Sequence, residues 1–497
     1  MKRLAAVALL AVVFLVTCQK TETQSTTSSA PSTSTSAAVP ASVQYVGINP
    51  SVFVPSATIE GWINAKPIDQ SAIDAHRWAI WQGMTAASGQ TLNGTPLPVW
   101  ETWYDTTTVF ANAKLPQTAT AAVKGARLAD LTPVNERRRF NRPVQLVKHA
   151  VKRKTLTGAE LSGIVLAFNR FTQDMRDHIW MHKYYDSDVL TALNTKFNND
   201  KTPIADRQIA QFPDHSIVLK PVFWLADATT PTIMPYWNGT GTSATTNPTN
   251  PTPDTWQQCV LLDPTGKATN QNPISCNGKQ IAGGQYKVVP ISGDPSKSGL
   301  YAFKLTQAEA DELNTLLGND VGLLYGIQPP LQAGDFAIFV AMHCATREIT
   351  NWTWQTFWYE PDPASLPSQP PMAQAAPTSI SAPWNSYVSC TAYYMVTPPN
   401  DPKGAQHLCY NPYLETALSG LDNKDQSSTS GVGVQTNCMT CHRAAVWNPT
   451  NDNPPYAIDF FLDPANPLWF ANVTKTEFSW ATQSNAHTAP FEPPPGK

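Results

Sequence analysis

The residues of this sequence best suited to chemistry are two thiols and one imidazole near its carboxyl end. Cys438, Cys441 and His442 form the pattern C-x-x-C-H, in which two residues separate the cysteines and the histidine follows directly. Three kinds of site use such a cysteine pair: a thiol–disulfide exchange centre, a zinc site, and an attachment point for an iron porphyrin. The residues that surround the cysteine pair indicate which of these three kinds of site it forms.

The spacing and the surroundings of the pair favour covalent attachment of haem. Two intervening residues let each sulfur form a thioether with its own vinyl group of one porphyrin, and the adjacent imidazole can then ligate the iron. A zinc site needs further ligands, and no other cysteine pair in the sequence has this spacing. A thiol oxidoreductase pair follows a strand, whereas residues 426–436 are rich in Ser, Thr and Gly. The pattern predicts one haem c, with a disulfide or zinc as the alternatives.

The C-x-x-C-H pattern resembles the haem motif of c-type cytochromes. This resemblance implies thioether bonds at Cys438 and Cys441, an axial iron ligand at His442, and electron transfer as the function. Small cytochromes with a methionine ligand place it well downstream of the motif, but no methionine follows Met439 here. With its tryptophan-rich segments 98–103 and 351–358, the remaining chain is similar to large exported single-haem proteins of bacteria.

A second axial ligand would have to come from elsewhere in the chain. Residues 335–345 read as a strand, so Met342 and His343 project from opposite faces. Met342 is expected in the core, while His343 shares its face with two alanines that leave room for a flat macrocycle; a hydrogen-bonded core histidine is the alternative. His487, downstream of the motif, is the third candidate for the distal ligand or pocket. Weaker candidates of suitable type are Met395, His407, His178 and His182.

Three functions remain open on the sequence alone. The first is electron transfer by a single-haem periplasmic protein with a redox partner that the sequence does not identify. The second is a haem-dependent peroxidase or oxygenase with an open distal site, so enzymatic activity is left undecided. The third is a non-enzymatic surface lipoprotein that binds a ligand. The formal net charge of −3 gives no bulk attraction for nucleic acid.

The amino end indicates export. Two basic residues and the apolar run from Leu4 to Val16 predict a signal peptide over 1–17. The residues up to Cys18 resemble the lipobox of bacterial lipoproteins, which implies lipidation of Cys18 and a periplasmic or outer-membrane location with this anchor as the only membrane contact. Cleavage and release without lipidation is the alternative. Residues 18–42 are rich in Ser and Thr and predict a flexible tether.

The helices and strands that the sequence predicts indicate an α+β fold that is rich in strands and loops. A C-terminal haem c-binding segment is expected to follow the main domain. Residues 69–86 and 307–317 have helical patterns, the second with Thr306 and Glu309 as a capping box. Strands are predicted over 216–225, 285–291, 300–305 and 335–345, in mixed order with the helices. We expect a main domain over 43–425, divisible into two subdomains, and a haem c-binding segment over 426–497.

Five further cysteines and a group of tryptophans allow predictions about disulfides and about one strand face. In an oxidising compartment, Cys259 is expected to pair with Cys276 and Cys390 with Cys409, each bond adding about 3 kcal/mol. Cys344 then remains as a buried thiol on its strand. If residues 352–358 form a strand, Trp352, Trp354 and Trp358 share a face, either as a packed sheet surface or as the lining of the haem pocket.

Overall fold

The computed structural model describes residues 43–110, 138–140, 166–237, 256–363, 373–409, 411–415, 437–448 and 461–487. These residues belong to one compact unit. They form a large antiparallel sheet with helices and irregular segments on both faces, which confirms the predicted α+β class. The predicted signal peptide 1–17, with its lipidation site Cys18 and the tether 18–42, lies outside the described residues.

The strands are short except for two at the centre of the large sheet, and they carry the apolar and β-branched residues that favour extended chain. The described strands are β1 (Ala87–Leu92), β2 (Thr95–Pro98), β3 (Tyr104–Asp105), β4 (Leu166–Ala167), β5 (Arg170–Phe171), β6 (Ile217–Ala226), β7 (Thr232–Tyr236), β8 (Gln258–Asp263), β9 (Ile274–Cys276), β10 (Lys279–Ile281), β11 (Val288–Pro290), β12 (Ala302–Lys304), β13 (Phe336–Thr346), β14 (Thr353–Tyr359), β15 (Gln374–Ala375), β16 (Tyr387–Ala392), β17 (Val396–Thr397), β18 (Ala405–Gln406), β19 (Val446–Trp447) and β20 (Thr474–Lys475).

The helices are mostly short and lie outside the sheet. The described α-helices are α1 (Ser56–Asn64), α2 (Gln70–Thr85), α3 (Thr106–Phe110), α4 (Gln173–His182), α5 (Ser187–Asn199), α6 (Gln307–Leu317), α7 (Asp320–Tyr325), α8 (Pro412–Glu415), α9 (Cys438–Arg443), α10 (Pro467–Phe470) and α11 (Trp480–Asn485). Short 3-10 helices cover Pro50–Val52, Val99–Thr102, Ile204–Asp206, Pro295–Lys297 and Trp384–Ser386. None of the described helices is long and apolar enough to cross a membrane.

Within the described residues, nine strands make up the large sheet. Their order is β15-β16-β14-β13-β6-β5-β3, with β12 beside β13 and β4 beside β6. The central pair, β6 and β13, runs antiparallel from Phe336 opposite Ala226 to Thr346 opposite Ile217, with one bulge. Both strands are almost continuously buried because elements cover both faces of the sheet.

Helix α2 covers one face of this sheet, called here the α2 face. The Trp81 ring stacks on Phe357 of β14 at a centroid distance of 4.2 Å. The sulfur of Met84 lies 3.6 Å from the thiol of Cys344 on β13. The Asp69 side chain caps the helix by accepting the N–H of Ala72, so the predicted helix over 69–86 is confirmed with its start at Gln70.

The opposite face carries a row of polar side chains and is called here the C-terminal face. Lys220, His343, Thr356 and Cys390 are direct cross-strand neighbours on β6, β13, β14 and β16. Directly opposite residues of an antiparallel sheet project to the same side. Of the predicted C-terminal segment 426–497, the structure describes 437–448 and 461–487, and the helix Cys438–Arg443 packs against β14 on this face.

Several local predictions are confirmed by the structure. Helix α6 spans Gln307–Leu317, and Thr306 and Glu309 form the reciprocal capping box. The strands predicted over 216–225 and 335–345 appear as β6 and β13. The strand predicted over 285–291 is shorter, because pairing with β8 includes only Val288–Pro290.

The predicted cysteine pairing is also confirmed. Cys259 bonds to Cys276 and Cys390 to Cys409, with Cα–Cα separations of 5.9 and 5.7 Å. Cys344 remains a free, buried thiol on β13. Two disulfides are typical of a protein that folds in a non-reducing environment.

Candidate functional site

The candidate site is built on the helix Cys438–Arg443, called the motif helix. Asn437 begins this helix, and its side-chain oxygen accepts the N–H of Thr440 at 3.0 Å. Its amide nitrogen donates to the carbonyls of Met395 and His407, at 3.0 and 2.8 Å. One buried asparagine therefore both caps the motif helix and fixes it to the chain around residues 395–407.

Both motif cysteines are free thiols on this single helical turn. Cys438 is buried and Cys441 is half-buried, and neither forms a disulfide. Burial, followed by the charge of Glu415, raises the pKa of Cys438 well above its usual value, and the same causes raise the pKa of Cys441 to about 12. The two sulfurs are therefore protonated at neutral pH, which is the reverse of the lowered pKa that a thiol-exchange centre requires.

His442 is held in the form that binds a metal. Its Nδ1 lies 2.9 Å from the backbone carbonyl oxygen of Phe478. Because a carbonyl can only accept, Nδ1 carries the proton and the lone pair is on Nε2. Burial lowers the pKa of His442 to about 3, and the positive charges of His343 and Lys220 lower it further, so the ring is neutral at physiological pH. The Trp354 ring lies beside the imidazole at a centroid distance of 4.2 Å.

The carbonyl of Phe478 is itself fixed by its backbone. Glu477 and Phe478 both have positive φ values, of 49° and 65°, which side-chain-bearing residues rarely adopt. The Glu477 carboxylate accepts from the guanidinium Nε of Arg347 at 2.9 Å and from the backbone N–H of Phe212. The buried Glu477–Arg347 pair thus holds the strained turn that aims the Phe478 carbonyl at His442.

A second set of polar groups faces the motif from the sheet. The Nε2 atom of His343 lies 2.9 Å from one carboxylate oxygen of Glu415 and 3.2 Å from the other. Glu415 also accepts the backbone N–H of Asn411 at 2.7 Å. Ligand atoms of His343, Glu415 and Cys438 all lie within 4.8 Å of one another. The structure therefore brings the predicted residue His343 to the motif.

Lys220 stands next to His343 across the sheet. Burial lowers the pKa of Lys220 to about 8, and the negative charge of Glu415 opposes this shift. Sequence reasoning missed Lys220 and Glu415. Lys220 was open to detection, because it interrupts an otherwise apolar strand. Glu415 gives no such signal, since it lies at the end of the four-residue helix Pro412–Glu415.

The other predicted ligands lie elsewhere. Met342 projects from the α2 face, on the side of the sheet away from His442. The Nδ1 atom of His487 bonds to the carbonyl of Asn485, and its backbone pairs with residues 185–187. His407 bonds through Nε2 to the carbonyl of Thr391.

The paired histidines of α4 share a helix face, as their spacing predicts. The rings of His178 and His182 have a centroid distance of 4.4 Å. The Nε2 atom of His178 donates to the carbonyl of Ala210, and burial lowers the pKa of His178 to about 4. Nε2 of His178 is therefore occupied by a hydrogen bond within the fold and is not available to a metal.

The residues present fit a covalently bound haem. Cys438, Cys441 and His442 lie at positions i, i+3 and i+4 of one helix, so their side chains share a face. Neither sulfur forms a disulfide, and the Phe478 carbonyl accepts the Nδ1 proton of His442, which leaves the lone pair of Nε2 for a metal. The side chains of His343, Glu415 and Cys438 are also donor types that bind zinc.

The chain was compared with protein-family models, with curated proteins and with solved structures, and none of them matches it.

Proposed function

We propose that this chain is an exported single-haem protein of the c-type cytochrome kind that transfers electrons. Cys438 and Cys441 would hold the haem through thioether bonds, and Nε2 of His442 would ligate the iron. The observation that carries this proposal is the bond from Nδ1 of His442 to the Phe478 carbonyl, which leaves Nε2 unprotonated beside two free thiols.

The bound haem would supply reversible one-electron exchange. The chain's own residues have simpler tasks around it. The Phe478 carbonyl orients the imidazole and makes it a stronger donor, and the Arg347–Glu477 pair holds that carbonyl in place. Trp354 forms an aromatic wall at the imidazole, as expected for an apolar pocket.

The predicted location supports the same function. Covalent haem attachment occurs outside the bacterial cytoplasm, where disulfides such as Cys259–Cys276 and Cys390–Cys409 also persist. The signal peptide predicted over 1–17 and the lipobox-like sequence ending at Cys18 would place the protein in the periplasm or on the outer membrane.

Haem catalysis is a second candidate, favoured by one specific feature. The Glu415 carboxylate holds Nε2 of His343 beside the motif, which gives a fixed proton donor and acceptor next to the haem site. A peroxidase or oxygenase needs such a group near an open iron position. As long as Nε2 of His343 is bonded to Glu415, this nitrogen is not available to ligate the iron.

The test of haem binding is the absorbance of the protein made together with the haem-attachment machinery. We expect a reduced pyridine spectrum of haem c and colour that stays with the protein in acidified acetone. Cys438→Ala with Cys441→Ala should lose this colour, whereas Cys344→Ala, which removes the third free thiol of the described residues, should keep it. Properly matured protein that is colourless contradicts the proposal.

A second measurement separates the two functions. Electron transfer predicts a low-spin, six-coordinate iron that does not bind carbon monoxide. Catalysis predicts an exchangeable position, with carbon monoxide binding that changes in kinetics when His343→Gln removes the imidazole. A spectrum that is low-spin in both the protein and the variant rules out His343 as the ligand.

A further inference from the structure

The motif helix has a second side with a cavity of its own. Met439 and Arg443 are four residues apart and share a helix face, turned by more than a quarter of a circle from the face of Cys438, Cys441 and His442. Both line a cavity of about 370 Å³ that none of the three haem-motif residues lines. This volume lies within the range typical of small-molecule sites.

The walls of this cavity are about equally apolar and polar. They include the side chains of Ile63, Ile349, Met439 and Leu462, all buried, together with the ring of Tyr394. The polar part of the wall is formed by Glu60, Asn64, Thr350, Asn351, Asn400 and Arg443. A wall with an apolar part and a charged group suits a small ligand that has one apolar end and one charged end.

Arg443 is the positive group of the wall, and its charge is incompletely matched. Its Nη2 donates to the side-chain oxygen of Asn351, while its Nε is buried with no hydrogen-bond partner. No described carboxylate forms an ion pair with Arg443, and the exposed Asp463 acts on it only at longer range. A guanidinium at a cavity wall that has no ion-pair partner among the described residues suits a carboxylate.

The rim sets a limit on the charge of the ligand. Glu60, the acidic residue of the wall, is exposed and is bonded to the hydroxyl of Ser56. Its negative charge disfavours a second carboxylate at the mouth. We propose that this cavity binds a small organic monocarboxylate, with its carboxylate on Arg443 and its apolar body among Ile63, Ile349, Met439 and Leu462.

The same arginine connects the cavity to the iron ligand. The guanidinium carbon of Arg443 lies 5.1 Å from the centre of the Phe478 ring, and the Phe478 carbonyl accepts the Nδ1 proton of His442. A ligand that draws Arg443 toward the cavity therefore perturbs the residue that orients His442. This connection rests on the proposed haem function, whereas the binding of the carboxylate does not.

The test is calorimetric titration of the purified, matured protein with benzoate, benzamide and phthalate. We expect benzoate to bind. The neutral amide lacks the negative charge and the dianion brings a second one near Glu60, so both should bind at least about tenfold more weakly. Arg443→Lys keeps the charge but removes the planar guanidinium, so it should weaken benzoate binding at least about tenfold. Thr350→Trp fills the mouth of the cavity from an exposed position and should abolish binding.

Thr230→Trp, at an exposed turn that does not line the cavity, is the matched control and should bind benzoate as the unaltered protein does. Failure of benzoate to bind, or binding that survives either Arg443→Lys or Thr350→Trp at full strength, overturns the proposal. If haem is present, saturating benzoate should also shift its absorbance or its reduction potential. Colourless protein that still binds benzoate through Arg443 would contradict the haem proposal and leave the cavity proposal standing.

Discussion

The two faces of the large sheet come from the same strands but are stabilised differently. On the α2 face, Trp81, Met84, Cys344 and Phe357 pack as an apolar layer. A buried polar cluster lies beside it, in which His76 of α2 contacts Tyr393 and Glu348. On the C-terminal face, a hydrogen bond, an ion pair and a disulfide join the row from Lys220 to Cys390 to residues 409–415. Within that segment Cys409 pairs with Asn437, at the start of the motif helix. Apolar packing is non-directional and tolerates small shifts, whereas hydrogen bonds and covalent bonds fix positions. The directional contacts of the C-terminal face end beside the motif helix, where the proposed function needs defined geometry.

The strongest test of this contrast is the removal of a core ring from the α2 face. Trp81 is fully buried, so Trp81→Ala should lower the free energy of unfolding by about 3–5 kcal/mol. The absorbance of the proposed haem should hardly change at low denaturant concentration, because the Trp81 ring lies on the other side of the sheet. Urea unfolding followed by fluorescence and by haem absorbance measures both. A large change in the absorbance of the folded variant would contradict the separation of the two faces.

The next largest loss of stability is expected when the Cys390–Cys409 disulfide on the C-terminal face is removed. Cys390→Ala with Cys409→Ala should cost about 3 kcal/mol, as expected for a closed loop of this length. It should also loosen the motif helix, because Cys409 pairs with the backbone of Asn437. Hydrogen exchange at residues 437–443 measures this loosening.

The matched control is the loss of the other disulfide. Cys259→Ala with Cys276→Ala lies in the small sheets β7–β8–β11 and β9–β10 and should reduce stability by a similar amount. It should leave exchange at the motif helix unchanged. Equal exchange in both double variants would show that the Cys390–Cys409 bond has no special role at the site.

Two neighbouring residues on β13 allow the comparison to be made within one strand. His343→Leu leaves the Glu415 carboxylate without its imidazole partner and should cost about 1–3 kcal/mol, with a change in haem absorbance. Met342→Leu on the α2 face should cost less than about 1.5 kcal/mol and leave the absorbance unchanged. Chemical denaturation and the absorbance spectrum check both variants, and a spectral change in Met342→Leu alone would reverse the assignment of the faces.

The smallest effect is a dependence of stability on pH that arises at the site. Burial raises the pKa of Glu477 to about 7, above its ordinary value, so the folded chain keeps this proton to a higher pH than the unfolded chain. The contribution of Glu477 to stability is therefore full below about pH 4.5 and is lost as the pH rises through about 7, by at most about 1.4 kcal/mol per pH unit. Urea midpoints between pH 5 and 8 should vary less in Glu477→Gln than in the unaltered protein. Equal slopes would show that this carboxyl titrates normally.

Local elements of the fold could be predicted because their signals are local. The capping box at Thr306 and Glu309 and the alternation along β13 need only neighbouring residues, and both appear as predicted. The disulfides followed from short separations in sequence. The partnership of His343 with Glu415 could not be predicted, because 72 residues and an irregular segment separate them.

The sequence alone determined the motif Cys438, Cys441 and His442, and it determined that Met342 and His343 project to opposite sides of a strand. Both follow from fixed geometry over a few residues. Only the tertiary structure decided which side of the sheet receives the motif helix and which carbonyl binds Nδ1 of His442. It also placed Lys220, Glu415 and Arg443 around that helix. These choices depend on how distant segments pack together, and no short pattern of residues encodes them.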